Sequence, residues 1–276
     1  MKSVAVIGLG LIGGSLAREL SARGIRVLGY DRDEASVRAA LRDGGIHRVF
    51  NRGLEGIDTV DVVVIAVPVA AAPDVLRIAR PHLGGVRLIT DVGSTKGTVG
   101  SAAQALGIGE RFVGSHPLAG DHCSGWNASR LGLFDRARVF LCPTADTSEG
   151  ALALARAFWQ AVGAQPEIID ATEHDRQLAW TSHLPQTVST ALALALARAG
   201  IAHRELGPGG RDMTRLAGSS PEMWTDIALD NASELGNALD RLEQQCQQLR
   251  TALAAQDRAS VQRFFAAGQR WNPPGG

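Results

Sequence analysis

Over the first 170 residues, short apolar runs alternate with stretches whose apolar positions recur at helical spacing, and beyond them only the helical spacing persists. Residues 4–7 (Val-Ala-Val-Ile) form a continuous apolar run, the mark of a parallel strand buried on both faces. Leu16, Leu20 and the alanines around them keep a helical period until Gly24. The alternation continues with a strand over 26–30, a helix over 33–41 closed by Gly44 and Gly45, a strand over 62–67 stopped at Pro68, a helix over 70–79 and a strand from 87 to 90. Further strands are expected over 112–113, 139–141 and 167–169, with a helix over 151–162. This order predicts a Rossmann-type α/β fold, a doubly wound parallel sheet with helices on both faces.

After Asp170 the strands stop. Thr172-Glu173-His174-Asp175 reads as a capping box opening a long helix that reaches Ala199, with a proline kink at Ser182-His183-Leu184-Pro185. Gly207-Pro208-Gly209-Gly210 reads as a loop, and Ser219-Ser220-Pro221-Glu222 as a helix start, with a cap followed by proline at the first position. Ala228, Ala232, Leu235, Leu239, Leu242, Cys246, Leu249 and Leu253 then alternate steps of four and three, the spacing of a helix lying along a partner helix. We therefore expect two domains, residues 1–170 binding a dinucleotide and residues 171–276 all-helical, with a homodimer made through the helical half.

Composition narrows the partners. A chain of 276 residues that is 45% hydrophobic can bury a core in each of two domains. Lys+Arg and Asp+Glu each total 28, which gives no electrostatic case for nucleic acid or an anionic membrane. Cys123, Cys142 and Cys246 are odd in number and share no ligand spacing, so free thiols in a reducing cytoplasm are expected rather than disulfides or a metal site. The run at 4–7 is too short for a signal peptide, and the longest apolar runs fall short of the roughly 18 residues a membrane helix needs.

The first strand delivers the chain into Gly8-Leu9-Gly10-Leu11-Ile12-Gly13, a GxGxxG in the strand–turn–helix setting that binds a dinucleotide pyrophosphate. The second strand ends in Asp31, placed to bond a ribose 2′-hydroxyl and to favour NAD, although the adjacent Arg32 leaves NADP open. Val67-Pro68 and Gly93-Ser94 are expected above the strand ends, where a nicotinamide would lie; Ser94 would orient an imidazole or the nicotinamide amide, or cap the next helix. Lys96 reads as a solvated charge. In Phe112-Val113-Gly114-Ser115-His116-Pro117, an apolar strand runs into a histidine that Pro117 holds extended at the strand's carboxyl end. His183, beside the proline kink, is expected to project from the helix wall into a cleft, whereas His174 and His203 read as surface residues. Arg211 and Arg215 share a helical face suited to gripping carboxylates, or make an exposed basic turn with Asp212.

Taken together, Gly8-Leu9-Gly10-Leu11-Ile12-Gly13-Gly14-Ser15, Asp91-Val92-Gly93-Ser94-Thr95-Lys96, the segment from Gly114 to Gly120, Ser182-His183-Leu184-Pro185 and Arg211-Asp212-Met213-Thr214-Arg215, with Trp224 beyond, resemble the prephenate/arogenate dehydrogenases of tyrosine biosynthesis. The likeness spans almost the whole chain. It implies an oxidative decarboxylation of a cyclohexadienyl substrate with hydride transfer to NAD, and a helical half that makes the dimer. It further implies His116 as the catalytic histidine, Ser94 as its hydrogen-bonding partner near the nicotinamide, and His183 and Arg215 as substrate contacts; Arg211 and Trp224 are further substrate-binding candidates. One stretch departs from the pattern: Asp121-His122-Cys123 stands where many relatives carry a hydroxyl residue or proline followed by an acid. Asp121 would pair with the ammonium that distinguishes arogenate from prephenate, or cap its own loop. Two other readings remain: a β-hydroxy acid dehydrogenase, whose usual second-domain lysine has no counterpart here, and a nucleotide-binding sensor without turnover.

Overall fold

The computed structural model describes residues 1–120 and 125–272. Strands β1 (Ser3–Ile7), β2 (Arg26–Tyr30), β3 (Arg48–Val49), β4 (Val62–Ile65), β5 (Leu88–Asp91), β6 (Phe112–Pro117), β7 (Arg138–Pro143) and β8 (Gln165–Ile168) form one sheet in the order β3-β2-β1-β4-β5-β6-β7-β8. Helices α1 (Leu11–Ala22), α2 (Glu34–Arg42), α3 (Ala72–Ala79), α4 (Gly97–Ala105) and α5 (Glu149–Ala161) connect them. The two-residue period of the strands sorts their side chains into two cores. Val4, Val6, Val62 and Val64 face Leu16, Leu20, Phe158 and Trp159, while Ala5, Ile7, Val63 and Ile65 face Leu76, Val99 and Ala103. A sheet apolar on both faces is what the unbroken runs of β1 and β4 call for.

The sheet departs from the expected all-parallel arrangement at one place. β7 runs antiparallel to β6, pairing Gly114 with Cys142 and His116 with Phe140, while the other neighbouring pairs are parallel. The reason is the connection: among the described residues no α-helix crosses back between β6 and β7, and a chain that returns without a crossover pairs antiparallel. The order reverses between β1 and β4, so a crevice opens at their carboxyl ends, where open α/β sheets bind ligands.

The helical half comprises α6 (Ala171–Leu178), α7 (Leu184–Arg198), α8 (Pro208–Thr214), α9 (Pro221–Asp230), α10 (Ala232–Ala254) and α11 (Arg258–Trp271). Several local expectations are corrected. The cap of α6 is Asp170, whose carboxylate accepts from the amides of Thr172 and Glu173, so the expected capping box starts two residues early. The expected proline kink is a π-helical turn over Ala179–His183, with Pro185 seated in the first turn of α7, where its missing N–H costs nothing. Gly207 to Gly210 is no loop: Pro208 is the first residue of α8. The heptad pattern spans two helices broken at Asn231, although Ser220 and Pro221 start α9 as expected. Among the described residues no helix is long and apolar enough to cross a membrane. Cys142 and Cys246 are free thiols; burial pushes the Cys142 thiol up to about 12, which leaves it inert.

Candidate active site

The crevice begins at the glycine turn. Gly8 has φ +98°, and a Cβ there would strike the carbonyl of Ala66 at the end of β4, so only glycine fits. Helix α1 then starts with no side-chain cap and no acid in its first turn, which leaves its amides free to meet an anion. Above Gly10 there is open space where a Cβ would otherwise stand. Asp31 is fixed at the tip of β2: its carboxylate accepts from the amides of Leu9 at 2.6 Å and Asp33 at 2.8 Å. It thus sits over the glycine turn, with Arg32 beside it and with Val67 against the turn from β4.

His116 is the penultimate residue of β6 and is half-buried. Its Nδ1 lies 2.9 Å from Nε2 of His174, and His174 Nδ1 lies 2.8 Å from Oδ1 of Asp175. The proton positions follow from what each partner can do. A carboxylate only accepts, so His174 carries its proton on Nδ1 and offers a lone pair at Nε2. His116 therefore donates from Nδ1, and the lone pair of its neutral ring is on Nε2. Burial holds the His116 imidazole well below the usual histidine range, helped by His174, Lys96 and His183. Burial alone would raise the Asp175 carboxyl; hydrogen bonds from His174 and from the amides of Gly97 and Lys96 hold it below its ordinary value. This chain corrects the reading of His174 as a surface residue: it is 0% exposed, edge-on to Phe140. The adjacent His-Asp pair on the first turns of a helix was the available signal, and one sequence cannot show that the helix docks beneath β6.

A cavity of about 400 Å³ adjoins His116, walled by Leu118 just past β6, by Arg138 and Phe140 of β7 and by Gln177, Thr181 and Ser182 from the helical half. Arg138 lies over the Phe140 ring and is held by a bidentate pair with Glu167 at 2.8 and 3.0 Å.

His183 does not project; it is 1% exposed. The Asn231 amide donates both its hydrogens, to the carbonyl of Asp175 at 2.8 Å and to His183 Nδ1 at 3.1 Å. That fixes the His183 proton on Nε2, and burial pushes its pKa down to about 4, so the ring is neutral. Trp224 stands edge-on with ring centroids 6.0 Å apart. Among the described residues, His183 Nε2 and Trp224 Nε1 are both buried donors without a partner, a rarity in native structures that points to a ligand oxygen.

Ser94 is half-buried and does not cap α4, which begins at Gly97 and receives Asp175 across its first amides instead. Lys96 is buried, not solvated, and pairs with Asp91. Arg211 and Arg215 are exposed and share a separate cavity of about 590 Å³ with His203 and Thr214. Asp121, with His122 and Cys123, lies outside the described residues. Among the described residues no His, Cys, Asp and Glu cluster could hold a metal ion.

A glycine turn at the reversal point of a Rossmann sheet, a neutral histidine at a strand end and a helical unit closing over it define a two-domain, nucleotide-dependent oxidoreductase. Comparison makes this specific. The nucleotide-binding domain of prephenate dehydrogenase matches residues 16–168, and its dimerization domain matches residues 170–267. The chain belongs to the prephenate/arogenate dehydrogenase family. It is 34% identical to the cyclohexadienyl dehydrogenase of Zymomonas mobilis, over 98% of this chain and 94% of that protein. Among solved structures it resembles prephenate dehydrogenase from A. aeolicus in complex with hydroxyphenyl propionate and NAD+ (TM-score 0.89, 29% identity, 98% of this chain and 97% of that one). It also resembles Synechocystis arogenate dehydrogenase (TM-score 0.81, 29% identity, 97% of this chain and 98% of that one).

Proposed function

We propose that the chain catalyses the oxidative decarboxylation of prephenate, arogenate or both, with NAD as cofactor and His116 as the base. The observation that carries this reading is the ordered chain from Asp175 through His174 to His116, which leaves one unprotonated nitrogen, His116 Nε2, for a substrate hydroxyl. The glycine turn, the uncapped start of α1 and Asp31 suit the pyrophosphate and ribose of NAD. When bound, NAD supplies the acceptor for the hydride that leaves C4 of the substrate ring. His116 Nε2 takes the C4 hydroxyl proton as that hydride departs. The carbonyl forming at C4 draws electrons through the ring, the C–C bond to the ring carboxylate breaks, carbon dioxide leaves and the ring becomes aromatic. His116 bears a positive charge after taking the proton, and His174 backed by Asp175 is the dipole that steadies it.

The unpaired donors of His183 and Trp224 suit an oxygen of the substrate, and Ser94 the region beside the nicotinamide. Arg211 and Arg215 are proposed to recognise carboxylate along the cavity they share, and Asp121 to discriminate between the keto and ammonium side chains. The helical half supports a homodimer: its helices leave Leu194, Met213, Leu229, Leu253, Phe265 and Trp271 exposed.

The test is reduced-nicotinamide absorbance with purified protein, pairing prephenate and arogenate with NAD and NADP. Turnover with NAD on at least one substrate is expected, falling by about 10² to 10⁴ in H116N. Binding of NAD without turnover in any pairing would overturn the reading in favour of a nucleotide-binding sensor.

A further inference from the structure

Lys96 and Lys2 are the only lysines in the chain; every other basic side chain of permanent charge is an arginine. Lys96 is also 1% exposed, beneath the strand that carries His116. Its place follows from how the sheet ends. β5 pairs with β6 only through Ile89–Phe112 and Thr90–Val113 and stops at Asp91, so β6 runs on without a neighbour on that side. Alternation along a strand turns the peptide groups of Ser115 towards the missing neighbour, and a buried N–H or C=O left unpaired there would be costly. The Asp91–Lys96 pair takes the neighbour's place. Asp91 Oδ1 accepts from the Ser115 amide at 3.1 Å, and Lys96 Nζ donates to the Ser115 carbonyl at 2.8 Å and to Asp91 Oδ2. The same Asp91 oxygen accepts from the Gly93 amide at 2.8 Å. The Ser115 hydroxyl is pinned as well, between the Trp159 indole N–H at 3.0 Å and Thr90 Oγ1 at 2.7 Å. A Cβ at Gly114 would come within 3.1 Å of Lys96 Cδ, so the glycine before Ser115 is the space the lysine stem needs.

The backbone of the same residue serves the other end of the chain. The amides of Lys96 and Gly97 donate to the two oxygens of Asp175 at 2.9 and 2.8 Å, and Asp175 sets the tautomer that reaches His116. We propose that Lys96 is a positioning residue of the active site. Its ammonium stands in for the absent strand, fixes the Ser115–His116 peptide so that the ring meets His174, and sets a positive charge beside that ring. This assignment rests on the reading of His116 as the base. A compact ammonium can enter this space between backbone and carboxylate, whereas a planar guanidinium could not without moving both. The charged and titratable groups around His116 are consistent with the role. From α6 come His174 and, behind it, Asp175; from the π-helical turn comes His183; from β7 across the ladder comes Arg138, held by Glu167; from β5 comes Asp91, held by Lys96 itself. After burial, His174 and then Lys96 are what hold the His116 imidazole below its ordinary range.

The test follows the His116 ring resonance by NMR against pH in the wild type, K96M and D91N/K96M, with the signal assigned by its loss in H116N. The pH dependence of kcat/KM is measured on the same proteins. The double variant leaves no lone buried carboxylate, so it carries the test if K96M does not fold. In K96M we expect the His116 midpoint and the acid limb to move up together by about one pH unit, a roughly tenfold loss of rate below the limb, and in the double variant, which also removes the Asp91 charge, to move up together by less, with KM for NAD unchanged. An unmoved midpoint and limb, with rate lost only in step with Tm, would overturn the proposal. If the wild type turns over neither substrate, the functional reading falls, and the NMR midpoints still decide the role of Lys96.

Discussion

Asp175 serves two masters at once. One oxygen orders the His174 tautomer, and both oxygens receive the first amides of α4. In D175N the side chain can donate where it should only accept, so His174 is free to place its proton on Nε2, facing the Nδ1 proton of His116. We expect kcat to fall by about 10² or more with KM little changed, and stability to fall by about 1 kcal/mol for the weakened helix start. Steady-state kinetics and thermal melting check both. An unaltered kcat would mean that His116 works without the chain behind it. The acid limb of the wild-type kcat/KM profile belongs below about pH 6.5, because burial, His174 and Lys96 all disfavour the charged ring and only the neutral ring can take a proton.

At the scale of elements, the π-helical turn Ala179–His183 is what seats His183 under α10, against Asn231. A neutral histidine locked there ties acid stability to this junction. Its folded pKa is about 4 and its unfolded value about 6.5, so between those pH values the unfolded chain binds more protons. Stability is therefore expected to be full above about pH 6.5 and to be lost progressively as pH falls towards 4. Urea midpoints across that range should show the slope, and H183N should reduce it, leaving the share that the buried His116 contributes. The same junction shows why some of the molecule was legible in its sequence and some was not. The strand runs, the glycine turn and the serine–proline start of α9 are local signals, and each appears where its chemistry demands. The π turn is not local. Nothing in Ala179-Trp180-Thr181-Ser182-His183 favours one extra residue per turn until α6 and α7 are both held by their neighbours. The burial of His174 and Lys96 escapes the sequence pattern for a related reason. Their burial depends on α6 docking under β6 and on β5 ending early, and a single chain's pattern carries neither. His116, by contrast, stands near the end of a strand with a proline after it, as its own neighbours lead one to expect.

Across the whole molecule, the exposed apolar side chains lie mostly on the helical half, in the region that matches a dimerization domain. The far end of α10 is weakly buried within the protomer: Leu242 and Leu249 are only partly covered, Cys246 and Leu253 are exposed, and α11 packs along one side. If a second copy covers this surface, unfolding is coupled to dissociation, and Tm should rise with protein concentration while sedimentation gives twice 29.0 kDa. A concentration-independent Tm and a monomeric mass would leave these side chains without an occupant.

The hydrogen bond between His116 and His174 joins a strand of the Rossmann sheet to a helix of the unit that follows it. The base we propose is thus held jointly by two modules. Exchanging helical halves between relatives, with a splice between β8 and α6, would transplant more than substrate contacts: the donor would also dictate which nitrogen of the recipient's histidine is free. Chimeras whose incoming helix lacks the His-Asp pair should still bind nucleotide while losing their chemistry, so recombination within this architecture is constrained at a seam that looks, from the order of its elements alone, like a clean place to cut.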